Sequence, residues 1–281
     1  MPGRVHRAPG PGLRSGRRTR TVHQVFLDFG GTLTVPLVDT RPIFQRVARR
    51  LGARLSWDVF DREYDRAWQE LGPSSIDLVG RRPCLADRVH ETALRRSGVR
   101  GPVAGLVAGV RKEMLAPRWH APYPETETVL RTLRARGYAL HVVSNHTDYL
   151  PRILENLGWL RLFSTVSFSQ EVGANKPDPR LFQLALSRAG CPPAEVLHVG
   201  DQWDADYQGA RSVGIRAVWL NRGGATRPGP GWEVHDLREL LAWLPGVPGR
   251  MAREPTATSG RQPIIDPREV GRPRRTAPPR A

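Results

Sequence analysis

The chain has 281 residues, 39% of them hydrophobic, a mean hydropathy of -0.44 and a formal charge of +16. That length holds one large domain or a core with a smaller insertion, and no apolar run approaches the roughly 20 residues that cross a bilayer. The charge is concentrated at the ends: residues 1–20 hold six arginines and no acid, residues 247–281 eight arginines and three acids, and neither segment has an aromatic residue to stack on bases. Both are expected to be disordered basic tails, and neither a membrane nor a nucleic-acid partner is expected.

In chain order, "VHQVFLDF" (residues 22–29) reads as a buried strand ending at Asp28. Arg17, Arg18 and Arg20 precede it, but the run is short and broken by a charge, so a strand in a cytoplasmic protein is expected, not a secretion signal. Four helical patterns follow with no strand between them. Ile43, Phe44, Val47 and Leu51 form the first, and Trp57, Phe60, Tyr64, Trp68 and Leu71 the second. Leu85, Val89, Ala93 and Leu94 form the third, and Val103 to Met114 the fourth. From residue 125 the rhythm becomes helix and strand in turn. Strands are predicted at 139–144, 165–169, 195–200 and 215–220, with helices near 125–136, 150–157, 179–189, from about 205, and 236–244. Alternation of this kind predicts an α/β fold, a Rossmann-like parallel sheet covered on both faces. The core is expected over 21–37 and 119–246, with an all-helical cap inserted at 38–118.

Ligands of such sheets bind beyond the carboxyl ends of the strands, where Asp28, Ser144 and Asp201 fall. Four segments carry a resemblance. "VFLDFGGTLT" (25–34), "HVVSN" (141–145), "EVGANKPDPRLF" (171–182) and "VLHVGDQWDADYQGA" (196–210) are similar, in order, to the four motifs of the haloacid dehalogenase superfamily. The resemblance spans about residues 22–222. It implies a hydrolase acting on a small phosphorylated metabolite, a phosphate monoester, with Asp28 as nucleophile forming an aspartyl-phosphate. It implies Mg2+ held by Asp28, the Gly30 carbonyl, Asp201 and Asp206, the last directly or through an intervening group. Asp204 is expected to be a solvated acid at a helix start. Ser144 and Lys176 would hold the phosphoryl group, with backbone amides near Phe29 and Asn145 adding donors. Lys176 is one of two lysines, with Lys112, in a chain that otherwise uses arginine.

One position departs from the pattern. Family phosphatases usually carry a second aspartate two residues after the nucleophile as general acid/base, and here that residue is Gly30. The family also contains dehalogenases with Tyr at this position, phosphonate-cleaving members with Ala that use a cap lysine, and apparent sugar-phosphate phosphatases with Gly, so Gly30 does not by itself imply an inactive member. Gly30 argues against the first, and Lys112, late in the insert, against the second. A catalytically weak or silent member that binds a phosphorylated ligand or a protein is the alternative. His146, Asp148 and His120 are the nearby candidates for a substitute, each expected to be structural or substrate-facing. Trp57, Trp68 and Trp119 could line the site beneath the insert, although helical spacing favours the insert's core for Trp57 and Trp68. Cys84 and Cys191 lack metal-site spacing and are expected to be lone thiols. The sequence leaves the oligomeric state open.

Overall fold

The computed structural model describes residues 21–37, 39–71, 85–226 and 228–247. The segments 1–20 and 248–281 and Cys84, for which disorder and a lone thiol were expected, lie outside the described residues. Val247, assigned above to the second tail, is buried, and its N–H donates to the Arg136 carbonyl at 2.9 Å.

Six strands form one parallel sheet in the order β3-β2-β1-β4-β5-β6. They are β1 (Gln24–Leu27), β2 (Ala139–Ser144), β3 (Thr165–Phe168), β4 (Val196–Gly200), β5 (Arg216–Leu220) and β6 (Glu233–Val234). The two-residue side-chain period sorts each strand between two cores. Val25, Leu27, Leu140, Val142, Leu197 and Val199 enter one, while Phe26, Val143 and Val196 enter the other. Burial on both faces explains why these strands read as continuous apolar runs. Each such fully buried side chain contributes about 1.5–3 kcal/mol.

Between β1 and the next core helix stand α1 (Arg41–Arg50), α2 (Trp57–Leu71), α3 (Leu85–Arg96) and α4 (Val103–Met114). Phe44 of α1 meets Phe60 of α2 at 4.6 Å between ring centroids and His90 of α3 edge-on at 5.1 Å. A polar contact ties this insert to the core: Tyr149 Oη donates to the buried Asp87 Oδ1 of α3 at 2.6 Å. The remaining helices are α5 (Thr126–Ala135), α6 (Leu150–Asn156), α7 (Pro179–Ala189), α8 (Gly209–Ser212) and α9 (Leu240–Trp243).

Two predicted helices differ. The one expected from residue 205 is a π-helical turn, Trp203–Gln208, that runs into the single turn of α8. The one expected at 236–244 is a 3₁₀ turn, Leu237–Glu239, capped by Asp236 and followed by α9. The strand order reverses direction between β1 and β4, so a crevice opens beyond their carboxyl ends.

Candidate active site

The register sets the site. Leu27 pairs with Val142 on one side and Val199 on the other, so Asp28, Ser144 and Asp201 emerge at about one level from β1, β2 and β4. Asp28 is held there by its N–H, which donates to the Val199 carbonyl at 3.0 Å. Asp28, Asp201 and Asp206 offer carboxylate oxygens that all lie within 4.8 Å of one another.

Into this cluster comes Lys176, from the loop between β3 and α7, and it is buried. Its Nζ donates to Asp28 Oδ1 at 2.7 Å, Asp206 Oδ1 at 2.6 Å and the Val143 carbonyl at 2.8 Å. All three ammonium donors are therefore used. The side chain of Asn145 fixes the lysine's backbone from both directions. Its Oδ1 accepts from the Lys176 N–H at 2.7 Å, and its Nδ2 donates to the Lys176 carbonyl at 3.2 Å. The Lys176–Pro177 peptide is cis.

Burial pushes the Asp28 carboxyl above its ordinary value, against the lowering pull of Lys176 and of a hydrogen bond from Ser144. Burial works the same way on Asp201, and the neighbouring charges of Asp28 and Asp206 add to it, so Asp201 is pushed up to about 7. Asp206 goes the other way. Burial would raise it, but Lys176 and His198 more than compensate and hold its carboxyl low. Lys176 is kept charged because Asp206 and Asp28 outweigh the burial that would lower its pKa.

Two glycines make the approach possible. A Cβ on Gly31, whose φ is +83°, would lie 2.3 Å from Asp201 Oδ2. One on Gly200 would lie 2.1 Å from Asp206 Cγ. Thr32 Oγ1 donates to Asp201 Oδ1 at 3.2 Å, and the Gln202 N–H to Asp206 Oδ2 at 3.0 Å.

The chemistry of this donor set suits a cation. Three carboxylates face one ammonium in a largely buried space, and hard oxygen donors match a hard divalent ion. These residues fit the metal that the motifs imply.

The cluster opens into a cavity of about 860 Å³. Asp28, Phe29, Gly30, Ser144, Asn145 and Lys176 line it at the sheet end. All the expected phosphate-binding positions are thus gathered, and Asp201 and Asp206 stand beside them. Asp204 is exposed, as expected of a solvated acid. Lys112 is exposed on α4 and Asp148 is not part of the cavity wall. Of the candidate acid/base substitutes, His120 and His146 line the cavity, with ring centroids 5.9 and 6.0 Å from that of Phe29. His146 Nδ1 lies 2.9 Å from the Thr147 N–H and 3.2 Å from the Thr147 carbonyl oxygen. Burial pushes this imidazole down to about 4, so near neutrality the ring at the cavity wall is neutral.

The tryptophans divide. Trp68 packs against the buried Ala67, Leu85 and Val89 of the insert, as its helical spacing predicts, and also lines the cavity. Trp57 packs on Phe60 away from the site, and Trp119 Nε1 donates to Glu113 Oε2 at 3.3 Å. Sequence reasoning missed His198, wholly buried, whose Nε2 lies 3.0 Å from Asp206 Oδ1. The available signal was a histidine at an inward position of the otherwise apolar "VLHVG". It also missed Arg222, which bonds the Gly31 and Thr32 carbonyls at 3.3 and 2.9 Å and pairs with Glu125 at 2.7 Å. No spacing signal marked that residue.

Residues 22–214 match the family of haloacid dehalogenase-like hydrolases. Over 125 residues the chain is 45% identical to the phosphoserine phosphatase of Thermus thermophilus, an alignment covering 42% of this chain and 49% of that protein. The match thus spans about half the length of that relative. Over 208 residues it is 29% identical to haloacid dehalogenase-like hydrolase domain-containing protein 3 of Danio rerio, covering 66% of this chain and 84% of the relative. A crystal structure of 2-haloacid dehalogenase from Pseudomonas syringae pv. Tomato DC3000 superposes with a TM-score of 0.63 at 26% identity, over 80% of this chain and 100% of that one. Four motifs in order, one parallel sheet that gathers their side chains and a family match over more than half its length lead to one conclusion: the chain belongs to the haloacid dehalogenase-like hydrolase family.

Proposed function

We propose that this hydrolase is a magnesium-dependent phosphatase that cleaves a small phosphate monoester through an aspartyl-phosphate on Asp28. The observation that carries the reading is the buried Lys176–Asp28 contact, 2.7 Å long, at the mouth of a cavity that Ser144 also lines. The name of the Thermus relative supports the phosphatase class.

In this reading Asp28 is the only carboxylate of the three that lines the cavity, so it is the one that meets phosphorus. Lys176 holds one nucleophile oxygen in place and offers its positive charge to the transferring phosphoryl group. The Ser144 hydroxyl and the amides near Phe29 and Asn145 supply neutral donors to the remaining phosphoryl oxygens. Asp28, Asp201, Asp206 and the Gly30 carbonyl would hold the cation, which when bound offsets charge between carboxylates and phosphate. The helical insert, 38–118 by the boundaries set above, acts as a cap that excludes water and contacts the organic part of the substrate. A reducing, cytoplasmic setting belongs to this reading, supported by the unpaired Cys191 thiol.

A screen of phosphorylated metabolites with Mg2+ tests it. Phosphate release should depend on Mg2+ and disappear in Asp28→Asn. Gly30 favours a second reading, a silent member that binds a phosphorylated ligand or a protein. Saturable binding of phosphate esters without any Asp28-dependent release would select that alternative.

A further inference from the structure

The walls of the cavity say more about its occupant than the catalytic residues do. Among the described lining residues, the formal charges belong to Asp28 and Lys176, both at the sheet end. No arginine is among them, although the chain has 43 Lys and Arg, of which only two are lysine. The described walls therefore offer no counter-charge to a second anion on the substrate, and no carboxylate beyond Asp28 to an ammonium. An unpaired charge on the substrate would lose part of its hydration against these walls and gain no partner in return.

The helices of the insert bring aromatic and apolar side chains to the lining, beside the uncharged polar Gln69 and His90. Tyr64 and Trp68 of α2 meet edge-on with centroids 6.2 Å apart, and Leu85 of α3 and Ile153 of α6 extend the surface. At the sheet-to-insert connection, Val35 and Leu37 line the same cavity at 48% and 36% exposure. They are two of the three large apolar side chains exposed among the described residues, the third being Leu51. Apolar surface left uncovered at a cavity wall is what an apolar ligand would cover.

Gly30 adds an independent constraint. No carboxyl stands there to protonate a departing alkoxide, which favours a leaving oxygen that departs readily as an anion. A phenolic oxygen does so far more readily than an aliphatic one, since phenols titrate near about 10.

We propose that the site selects phosphate monoesters of uncharged aromatic hydroxyl compounds, with the aryl group against Tyr64 and Trp68. This rests on the phosphatase reading above and narrows its substrate. An Asp28 carboxylate oxygen bonds to phosphorus as the phosphorus–aryl oxygen bond breaks. The aryl oxide leaves with the electron pair and takes a proton from solvent. Water then attacks phosphorus in the aspartyl-phosphate, returning the Asp28 carboxylate and releasing phosphate.

The test uses the full chain with Mg2+ and five phosphates: 2-naphthyl, benzyl and acetyl phosphate, phosphoserine and phosphoglycolate. Naphthyl phosphate should exceed phosphoserine and phosphoglycolate in kcat/KM by about a hundredfold, the selectivity an apolar subsite gives against unpaired charge. It should exceed benzyl phosphate, which keeps a ring but leaves as an aliphatic alkoxide, by about tenfold or more. In Trp68→Ala the ratio of naphthyl to acetyl phosphate should fall about tenfold. Comparable Asp28-dependent release from phosphoserine or phosphoglycolate would overturn the substrate class and leave the phosphatase reading intact. Absence of release from all five, acetyl phosphate included, would overturn the phosphatase reading itself. Calorimetric binding of phenylphosphonate against phosphonoacetate then still decides the subsite: tighter phenylphosphonate supports the aromatic wall, and equal or reversed affinity overturns it.

Discussion

Gly31 lies so close to Asp201 that a Cβ there would sit 2.3 Å from the Oδ2 oxygen, and its φ of +83° is one that L side chains rarely adopt. Gly31→Ala therefore carries two penalties, backbone strain of about 1–3 kcal/mol and displacement of a carboxylate in the cation-binding cluster. The expected result is a lower thermal midpoint together with weaker Mg2+ activation. Normal Mg2+ activation in a folded Gly31→Ala protein would contradict this placement of Asp201.

The neighbouring glycine should behave in the opposite way. Nothing lies within 4 Å of a Cβ built on Gly30, and its φ is outside the left-handed range. Gly30→Asp should fold normally and place a carboxyl where family phosphatases carry their acid/base. Gains should be largest for esters with poor leaving groups, approaching the about 10²–10⁴-fold that general acid catalysis supplies. On benzyl phosphate kcat should rise, while on acetyl phosphate it should change little. Equal effects on both would mean that proton donation is not what the wild-type site lacks.

Lys176 neutralises Asp28 and Asp206 at 2.7 and 2.6 Å in a buried setting. Replacing it by methionine keeps the stem and leaves two carboxylates without their counter-ion. Breaking a buried pair from one side costs about 3–5 kcal/mol, so Lys176→Met should unfold at lower urea in the presence of a chelator. Mg2+ should recover part of the loss, because a cation among the same carboxylates supplies the missing charge. Urea midpoints of both proteins with chelator and with Mg2+ give the comparison. Identical Mg2+ shifts in wild type and variant would rule out a cation site shared with the lysine's partners.

Much of this site was readable beforehand because its residues stand at strand ends. Asp28, Ser144 and Asp201 follow apolar runs long enough to mark buried parallel strands, and the sheet register does the rest. Lys176 stood out as lysine in an arginine-rich chain. What escaped notice follows from missing periodicity. β6 is two residues long, too short for alternation to register, and the turn Trp203–Gln208 keeps an apolar rhythm without α-helical spacing. Helical spacing also says which side of α2 turns inward but not what it faces. Trp57 and Trp68 share that pattern and both pack within the insert, yet the second also lines the cavity. His198 and Arg222 act through partners far away in sequence, which no local pattern encodes.

The insert should make the protein acid-sensitive through His90. This residue is 1% exposed on α3, stacked on Tyr64 at 5.9 Å and edge-on to Phe44 at 5.1 Å. Burial pushes its imidazole down to about 4, against a smaller upward pull from Asp87 on its own helix. In the unfolded chain the ring titrates near about 6.5. Between those values the unfolded chain binds a proton that the folded one does not, so acidification favours unfolding. Stability is complete above about pH 6.5 and falls as pH drops toward 4, by up to about 1.4 kcal/mol per pH unit for this group. His141, also pushed down to about 4 by burial, acts in the same direction. His90→Leu removes one titration and fills much of the same volume. The difference in unfolding free energy between pH 7.5 and pH 5 should therefore shrink by about 2 kcal/mol in the variant. Urea unfolding at those two pH values reads it directly, and parallel pH profiles for the two proteins would show that His90 is not the buried, neutral group described here.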